Sequence, residues 1–331
     1  MLNEKRVFVT GGTGSWGTKL IETIFKKYEP DEVIVYSRGE HKQMEMQRRF
    51  AGKRITYVIG DVRDYERMRR ASAGVDYFFH MAALKHVPVC EEHYSEAVAT
   101  NVTGTINAVQ CAEENHIPNF IFVSTDKAAN PINVYGTTKL MAEKIVSSAG
   151  IRNTHTRFIT VRAGNVLGSN GSVVPLFKEQ IQQGGPVTLT DGSMSRYLML
   201  LRSPIELIFH AIEHAQGREL FVLKMPSVVM RDVAEVLVAE LAKDSAVEIT
   251  EVGPRPGEKY HEMLMTADEG MRAVDAKDFM VILPFVDPMN TLKKHWGTKF
   301  LNTDYNSKDN FILSKAEIKQ MLQENGDLPT A

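Results

Sequence analysis

The sequence predicts an α/β protein built on a Rossmann-type, doubly wound parallel sheet with a smaller mixed α/β lobe. Before residue 166, six short apolar runs alternate with helical patterns, which is typical of parallel strands joined by crossover helices. Glycines and polar residues follow these runs, and open parallel sheets bind ligands at the carboxyl ends of their strands. We therefore expect a Rossmann domain over residues 1–165 and a mainly substrate-binding lobe over 166–331, from which some segments return to the first domain.

The first strand and the turn after it predict a site for cofactor phosphates. The strand Arg6–Thr10 is followed at once by Gly11-Gly12-Thr13-Gly14-Ser15-Trp16-Gly17, and a helical pattern comes next. Glycines let the backbone approach a pyrophosphate, and the helix N-terminus points free N–H groups at the charge. The spacing differs from the G-x-G-x-x-G of many dehydrogenases, and a tight turn without a ligand is the alternative.

The end of the second strand, Val33–Tyr36, favours NADP over NAD. The acidic residue that commonly binds the ribose of NAD is missing there, and Ser37, Arg38 and Lys42 stand close together instead. An arginine at this place can accommodate a 2′-phosphate. Glu40 argues against this assignment, and a solvated basic loop is the alternative.

Two further strands end in residues that can line a cofactor site. After Ile55–Ile59, Asp61 either accepts a hydrogen bond from an adenine amino group or caps the next helix. After Tyr77–His80, the small residues of Met81–Pro88 allow a nicotinamide or ribose to lie close. Lys85 within that stretch reaches phosphate or sugar, or else belongs to a surface loop.

The stretch Ser124–Lys139 carries a first proton-transfer system. It follows the buried strand Phe120–Val123 and contains the start of a helix predicted from residue 134 to about residue 146. Tyr135 and Lys139 are four residues apart and therefore share one helical face. A nearby ammonium favours the phenolate, so we expect the pKa of Tyr135 to drop towards neutrality. Such a tyrosine can exchange a proton with a substrate hydroxyl.

The same stretch carries a second proton-transfer system at the strand end. The Thr125 hydroxyl can touch the same substrate oxygen as Tyr135, and Asp126 and Lys127 add a second acid and a second base. The alternative is a surface ion pair, which contributes little. The position beside the tyrosine favours the chemical role.

The bulk properties exclude several classes of partner. The chain has 331 residues, of which 43% are hydrophobic and 24% charged, and its net charge of −2 predicts neither a nucleic-acid nor a membrane partner. It lacks an apolar run long enough for a membrane helix, and two cysteines suggest no disulfide framework, so we expect a cytoplasmic protein. The histidines lack a zinc spacing, and we expect no metal site.

These motifs resemble the extended short-chain dehydrogenases/reductases, and more closely the inverting UDP-N-acetylglucosamine 4,6-dehydratases of the polysaccharide biosynthesis protein family. The resemblance covers nearly the whole chain. It is carried by the glycine turn, Tyr-x-x-x-Lys and the segments Tyr36–Arg38, Gly60–Asp64, Ala82–Pro88, Ser124–Asn133, Gly171–Pro175 and Arg255–Lys259. Trp16 stands where phenylalanine is common, and Ser195 replaces the usual threonine.

The resemblance implies a hydro-lyase with NADP, a UDP-sugar substrate and a homo-oligomer, either dimer or hexamer. Its implied catalytic residues are Thr125, Asp126, Lys127, Tyr135 and Lys139. Its implied cofactor-binding residues are Gly11, Thr13, Gly14, Ser15, Trp16, Gly17, Ser37, Arg38, Lys42, Asp61, Val62, Met81, Ala82, Ala83, Lys85, Thr100, Tyr135 and Lys139. Its implied substrate-binding residues are Lys85, Asn165, Val173, Val174, Arg196, Arg255 and Glu258.

The implied chemistry is an internal oxidation, elimination and reduction. Tyr135 takes the 4-hydroxyl proton while hydride leaves carbon 4, and the new ketone acidifies the proton on carbon 5. Lys127 takes that proton if it is neutral, and Asp126 helps the 6-hydroxyl leave if it is protonated. Hydride then returns to carbon 6, and a proton reaches carbon 5 from the opposite face.

Two other functions fit parts of the pattern. A UDP-sugar 4-epimerase of the same superfamily needs Tyr135 and Lys139 but no acid–base pair at Asp126 and Lys127. A non-catalytic NADP-binding regulator would normally have lost Tyr135 or Lys139, and both are present.

Overall fold

The first half of the chain alternates strands and helices. The computed structural model describes residues 1–153, 155–167, 173–242, 246–254, 256–287 and 290–329. The elements of the first half are β1 (Arg6–Thr10), α1 (Ser15–Lys27), β2 (Glu32–Ser37), α2 (Glu40–Arg49), β3 (Ile55–Ile59), α3 (Tyr65–Ala71), β4 (Tyr77–His80), α4 (Val87–Glu92), α5 (Tyr94–Val98), α6 (Gly104–Glu114), β5 (Asn119–Thr125), α7 (Val134–Arg152) and β6 (Arg157–Ala163).

The second half mixes short strands with helices. Its elements are β7 (Asn165–Val166), α8 (Val173–Gln182), β8 (Val187–Leu189), β9 (Ser195–Met199), α9 (Arg202–His214), β10 (Leu220–Leu223), β11 (Ser227–Val229), α10 (Met230–Leu241), β12 (Ile249–Glu251), β13 (Met263–Met265), α11 (Ala267–Gly270), β14 (Ala273–Asp275), β15 (Phe279–Ile282), α12 (Thr291–Trp296), β16 (Tyr305–Asn306) and α13 (Lys315–Glu324). Within the described ranges, no helix combines the length and apolar character that crossing a membrane requires.

The main sheet confirms the predicted doubly wound architecture. Its strand order is β14-β15-β10-β6-β5-β4-β1-β2-β3, and the pairs from β10 to β3 are parallel. Strands β15 and β14 add an antiparallel edge. The chain reverses its direction of winding between β1 and β4, so the loops after these strands flank the crevice where such sheets bind ligands.

Layers of helices cover both faces of this sheet. In β1, Val7 and Val9 belong to the core formed with α1 and α9, while Phe8 between them belongs to the core formed with α3, α6 and α7. All three side chains are fully buried. A strand that is covered on both faces has no polar face, which is why β1 appears in the sequence as a continuous apolar run.

After Pro88 the sequence predicts one long helical pattern to about residue 115, but this helix is broken in the structure. It divides into α4, α5 and α6, with a π-helical turn over Ala99–Thr103. His93 leaves helical geometry between α4 and α5, with φ −119° and ψ 53°. The wide turn carries Asn101, whose amide bonds both the N–H (2.8 Å) and the C=O (2.9 Å) of Leu84. The loop after β4 is therefore fastened at the point where the helix deviates.

The second half builds a lobe with its own core and also extends the main sheet. Helices α8, α10 and α13 pack around small sheets that include β11-β9-β7 and β12-β8. Strands β10, β14 and β15 lie in the main sheet although they follow residue 165. Arg162 on β6 ties the parts together, since its fully buried guanidinium pairs with Glu143 (2.6 Å) on α7 and Glu269 (2.9 Å) on α11. The domain boundary at residue 165 stays a prediction.

Candidate active site

The end of β5 forms a buried acidic turn. Residues Asp126–Ala128 make one turn of 3₁₀-helix, which Thr125 caps by accepting a bond from the Lys127 N–H (3.4 Å). The Thr125 hydroxyl donates to Asp126 Oδ1 (2.8 Å), and the Lys127 N–H also reaches that oxygen (3.0 Å). Asp126 is only 1% exposed. The interpretation of Asp126 and Lys127 as a surface ion pair is therefore wrong.

The Lys127 ammonium lies between two buried carboxylates. Its Nζ is 3.2 and 3.3 Å from the two oxygens of Asp126, 3.3 Å from Asn165 Oδ1 and 3.3 Å from Glu262 Oε1. Burial favours the neutral amine, but Asp126 and Glu262 outweigh it and raise the pKa of Lys127. The neutral Lys127 that the sequence-based mechanism requires as a base is therefore not the state that this structure favours.

The first turn of α7 places Tyr135 beside this cluster. Asn133 caps the helix by accepting a bond from the Gly136 N–H (2.7 Å), and its amide donates to the Gly257 carbonyl (2.8 Å). Burial raises the pKa of Tyr135 to about 12, although a hydrogen bond with Thr125 and the charge of Lys127 act to lower it. The expectation of a tyrosine pKa near neutrality is wrong, because desolvation of the phenolate exceeds these stabilising contacts.

Lys139 is directed at the sheet. Its Nζ donates to the Val123 carbonyl (2.7 Å) and lies 3.9 Å from the centroid of the Phe122 ring. Burial lowers the pKa of Lys139 to about 7, with Glu143 acting in the opposite direction. An amine of lowered pKa bonded to a backbone carbonyl gives the Tyr135 phenolate less support than the sequence predicts.

The close approach of α7 to the 3₁₀ turn requires glycine at position 136. A Cβ atom there would lie 2.2 Å from the Lys127 carbonyl oxygen, which is backbone and cannot swing away. We expect Gly136→Ala to destabilise the protein by about 1–3 kcal/mol through overpacking. If the added methyl group moves Tyr135 by about 1 Å relative to Lys127, turnover should also fall by about 100-fold.

Thermal melts and turnover per folded molecule test this prediction. Gly150→Ala is the matched control, because Gly150 lies in the same helix and its added Cβ would meet only the Arg218 side chain. A Gly136→Ala variant that melts and reacts like the wild type would contradict the proposed packing.

The turn from β1 to α1 fits a dinucleotide pyrophosphate. Gly11 has φ +68°, and a Cβ on it would lie 2.8 Å from the Ala82 nitrogen. A Cβ on Gly17 would lie 2.5 Å from Gly12 Cα, so α1 begins directly against the turn. Gly14 caps α1 without a side-chain hydrogen bond, which leaves the N–H groups of the first turn for an anion. Thr13, Ser15 and Trp16 complete this turn.

The residues predicted to bind the nucleoside end of the cofactor lie after β2 and β3. Arg38 is half exposed with its Nη1 3.8 Å from Asp61 Oδ2, and Lys42 is exposed on the first turn of α2. Asp61 also binds Arg63 (2.7 Å). The side chain that caps α3 belongs to Asp64, so the helix-cap alternative for Asp61 is wrong. Two neighbours of these residues are buried: Val62, and Ser37, which bonds Gln43.

The loop after β4 borders both the glycine turn and the acid–base cluster. The N–H groups of Met81 and Ala82 bond the Thr10 hydroxyl (3.1 and 3.3 Å), and Ala83 follows them. Burial and the charge of Lys127 lower the pKa of Lys85 in the same loop. The Thr100 hydroxyl is buried and has no hydrogen-bond partner among the described residues, as expected for a group that awaits a ligand.

The predicted substrate residues divide into three groups. Arg196 joins the cluster, with Nη2 3.6 Å from Glu258 and Nε 3.9 Å from Glu262, and Asn165 binds Lys127. Val173 is half-buried at the start of α8, whereas Val174 is fully buried in the lobe core, which argues against substrate contact through its side chain. Arg255 lies outside the described residues.

Three residues of the site are missing from the predicted site residues, although Lys259 lies in a segment that carries the family resemblance. Glu262 reaches Lys127 from the residue before β13, more than a hundred positions along the chain. Lys259 donates to the Ala129 carbonyl (2.7 Å), and Asn101 fastens the loop after β4. Contacts between distant segments follow from the tertiary fold, and no spacing in the sequence marks them.

Three side chains of the kinds that bind metal ions lie close together outside this cluster. His210, Glu213 and His214 on the last turn of α9 have ligand atoms within 4.8 Å of one another. None of the three belongs to the acid–base cluster, and we assign them no role in the chemistry.

The chain is similar in sequence to proteins that are named dehydratases and to proteins that are named epimerases. The profile of a family described as polysaccharide biosynthesis protein matches residues 7–284. An inverting UDP-N-acetylglucosamine 4,6-dehydratase of Campylobacter jejuni is 38% identical over 296 residues, covering 88% of this chain and 87% of that protein. A UDP-glucose 4-epimerase of Rickettsia massiliae is 37% identical over 335 residues, covering 97% and 96%. An uncharacterised protein of Methanocaldococcus jannaschii, named a membrane protein, is 43% identical with coverage of 97% and 96%.

Solved structures share the fold across the whole chain. Pen from Bacillus thuringiensis superposes with a TM-score of 0.92 at 37% identity, with coverage of 99% of both chains. A dTDP-glucose 4,6-dehydratase from Streptomyces venezuelae, solved with NAD, gives a TM-score of 0.72 at 20% identity, with coverage of 98% and 99%. The second comparison supports the Rossmann-type fold alone.

Proposed function

Because the chain belongs to the polysaccharide biosynthesis protein family, we propose that it is a hydro-lyase that dehydrates a nucleotide sugar. The substrate is UDP-N-acetylglucosamine and the product a UDP-4-keto-6-deoxy hexosamine, inverted at carbon 5. The observation that carries this proposal is the buried cluster of Asp126, Lys127 and Glu262 beside Tyr135. Elimination of water needs acid–base groups beyond those that oxidise a hydroxyl, and this cluster supplies them.

Tyr135 serves the first step, the oxidation at carbon 4. The turn from Gly11 to Gly17 would hold NADP, which would supply a reversible hydride acceptor for the sugar, so no external reductant would be consumed. Tyr135 takes the 4-hydroxyl proton as the phenolate, the form that its hydrogen bond with Thr125 and the charge of Lys127 favour against the effect of burial. Lys139 stands one helical turn away and fixes the adjoining edge of the site through Val123.

Asp126 and Lys127 serve the elimination. The ketone at carbon 4 acidifies the hydrogen on carbon 5, and loss of the 6-hydroxyl as water requires a proton donor. In the buried cluster, Lys127 Nζ lies within 3.3 Å of carboxylate oxygens of both Asp126 and Glu262. A cation and two carboxylates are therefore available to take and to donate these protons. Arg196 brings positive charge for the diphosphate of the substrate.

We further propose a homo-oligomer, dimer or hexamer, and a cytoplasmic location. Exposed apolar side chains on neighbouring helices support association, namely Tyr94, Val98, Ile106 and Met141.

The rival function is 4-epimerisation, which the Rickettsia relative carries in its name. An epimerase oxidises and re-reduces carbon 4 and leaves the mass of the sugar unchanged. The specific argument against it is the buried Asp126–Lys127–Glu262 cluster, which epimerisation does not use. A non-catalytic NADP-binding regulator has no use for either proton system.

A mass spectrum after incubation with UDP-N-acetylglucosamine and NADP tests the proposal. The dehydratase yields a nucleotide sugar lighter by one water. An unchanged mass, with a new epimer on chromatography, would replace the proposal by the epimerase. An unchanged mass with no new compound would favour the non-catalytic NADP-binding regulator.

The cofactor preference can be tested at the end of β2. We expect Arg38→Ala to weaken binding of NADP by about 10- to 100-fold, since a charge-assisted contact contributes about 1.5–3 kcal/mol. NAD binding should change little, because NAD lacks the 2′-phosphate. Titration of both cofactors by fluorescence measures the ratio, and Arg48→Ala on the exposed face of α2 is the control. A wild type that binds NAD and ignores NADP would contradict the assignment.

A further inference from the structure

Two histidines and a glutamate share one face of α9 at its C-terminal end. His210, Glu213 and His214 stand three and four residues apart, and helix positions with these spacings are neighbours on the helix surface. The ligand atoms of the three side chains lie within 4.8 Å of one another, and all three side chains reach the surface of the protein. Two imidazoles and one carboxylate are therefore available together to an ion from solution.

The helix that carries these side chains is anchored in the core. Its opposite face packs into the main core through Ile208, Ala211 and Ile212, each of which is at most 2% exposed. The His210 ring lies edge-on to the ring of Phe279 on β15, with the centroids 4.5 Å apart. The packing holds the backbone of this turn, so a ligand requires only changes in side-chain torsions.

This end of α9 lies at the edge of the main sheet opposite to the acid–base cluster. Arg157, the first residue of β6, donates to the carbonyls of Ile212 (3.3 Å) and Ala215 (2.8 Å) in and after the last turn of α9. The parallel neighbour β5 ends at Thr125, where the acid–base cluster begins. A ligand at the end of α9 is therefore remote from the sugar chemistry.

The electrostatic state of the three side chains favours a cation. The Glu213 side chain forms no hydrogen bond and no ion pair with the described residues. Burial and the charge of His214 lower the pKa of His210, so its imidazole is neutral at neutral pH, which is the form that binds a metal. The C-terminal end of a helix dipole is negative and attracts positive charge.

The donor atoms select the kind of metal. Two imidazoles and a carboxylate suit Zn²⁺ and the neighbouring divalent transition metals, whereas Mg²⁺ and Ca²⁺ prefer oxygen ligands. Histidines four residues apart on a helix bind zinc in metalloproteases. Around tetrahedral zinc the ligand atoms lie about 3.4 Å apart, so the present separations must close by up to about 1.4 Å. Rotation of surface side chains permits this change.

We propose that His210, Glu213 and His214 bind one Zn²⁺ ion per chain, with water completing a tetrahedral shell. The ion stabilises the folded chain, because it binds the three side chains only where the helix holds them together. This site is independent of the proposed function. It replaces the sequence-based expectation of no metal site, which rested on the spacing of the histidines alone, whereas Glu213 supplies the third ligand.

Titration of the untagged, chelator-treated full-length chain with zinc chloride tests the site. Calorimetry without nucleotide should give one Zn²⁺ per chain, and zinc-edge X-ray absorption should show two imidazole ligands. We expect His214→Ala and Glu213→Gln each to weaken zinc binding by at least about 10- to 100-fold, the loss that follows removal of even an outer partner of a metal ligand. Saturating zinc should raise the melting temperature of the wild type, and this rise should be smaller in both variants.

His41→Ala is the matched control for these variants. His41 lies on α2 with its side chain 86% exposed and pairs with Glu45 one helical turn later, but α2 has no second histidine. This variant should bind zinc as the wild type does, and melts in chelator alone should show every variant folded.

Three results would overturn the site. The first is a wild type that binds no zinc at micromolar concentrations. The second is zinc binding that is undiminished in His214→Ala or in Glu213→Gln. The third is one zinc per two chains together with a doubled mass, since the ion would then be shared between copies.

Discussion

Tyr135→Phe is expected to prevent the formation of reduced nicotinamide when UDP-N-acetylglucosamine is added to the NADP-loaded protein. The variant keeps the half-buried ring and removes only the hydroxyl that exchanges a proton with the 4-hydroxyl. Hydride cannot leave carbon 4 unless the hydroxyl proton leaves as well. General acid–base groups contribute about 100- to 10,000-fold, so the single-turnover rate at the nicotinamide absorbance should fall by that factor.

The variant also separates the two proton systems. Every later step depends on the ketone, so water loss and carbon 5 exchange should disappear together with the reduced cofactor. Tyr94→Phe is the control, because Tyr94 is 65% exposed and has no part in the site. Normal cofactor reduction in folded Tyr135→Phe would show that another group removes the 4-hydroxyl proton.

Lys127→Ala should have the opposite signature. Cofactor reduction should persist, because Tyr135 is intact, and water loss should fall by about 100- to 10,000-fold without the proton donor. The change also leaves Asp126 and Glu262 buried without their cation, so we expect a loss of about 3–5 kcal/mol in unfolding free energy. Turnover must therefore be measured per folded molecule.

Lys127→Arg distinguishes the proton from the charge. A guanidinium preserves the positive charge between the carboxylates, and hence stability, but its pKa is too high for it to donate a proton efficiently. We expect a folded variant that still forms reduced nicotinamide and fails to lose water. Lys224→Ala, which removes a surface pair with Asp275, is the control. Water loss at the wild-type rate in either Lys127 variant would contradict the role of the pair.

Local patterns predicted the parts of the fold that depend on local forces. The continuous apolar runs gave β1 and β5 because both faces of the sheet are covered, and the turn from Gly11 to Gly17 was predicted because backbone contacts there exclude side chains. The stretch from Thr125 to Lys139 was predicted as one unit, and its groups converge through the contact of Gly136 with Lys127.

Electrostatics and long-range contacts were the parts that the sequence did not reveal. A spacing of four residues predicted that Lys139 would lower the pKa of Tyr135, but burial of the phenol dominates. The sequence-based mechanism requires a neutral Lys127. The structure favours the charged form instead, because Glu262, from a distant segment of the chain, adds a second carboxylate beside Lys127. Likewise, nothing local showed that Val174 would be enclosed by the lobe core. In each of these cases the outcome depends on desolvation or on residues that the tertiary fold brings into contact.

The most direct test is the mass spectrum of the product formed from UDP-N-acetylglucosamine and NADP in deuterated buffer, read after hydroxyl deuterium is washed out. A dehydratase that protonates carbon 5 from the site should yield a product lighter by one water and carrying one deuterium, which NMR places at carbon 5. An epimerase moves hydride internally at carbon 4 and gives neither change. A recovered sugar of unchanged mass and without deuterium would contradict the dehydratase and the role of the Asp126–Lys127–Glu262 cluster.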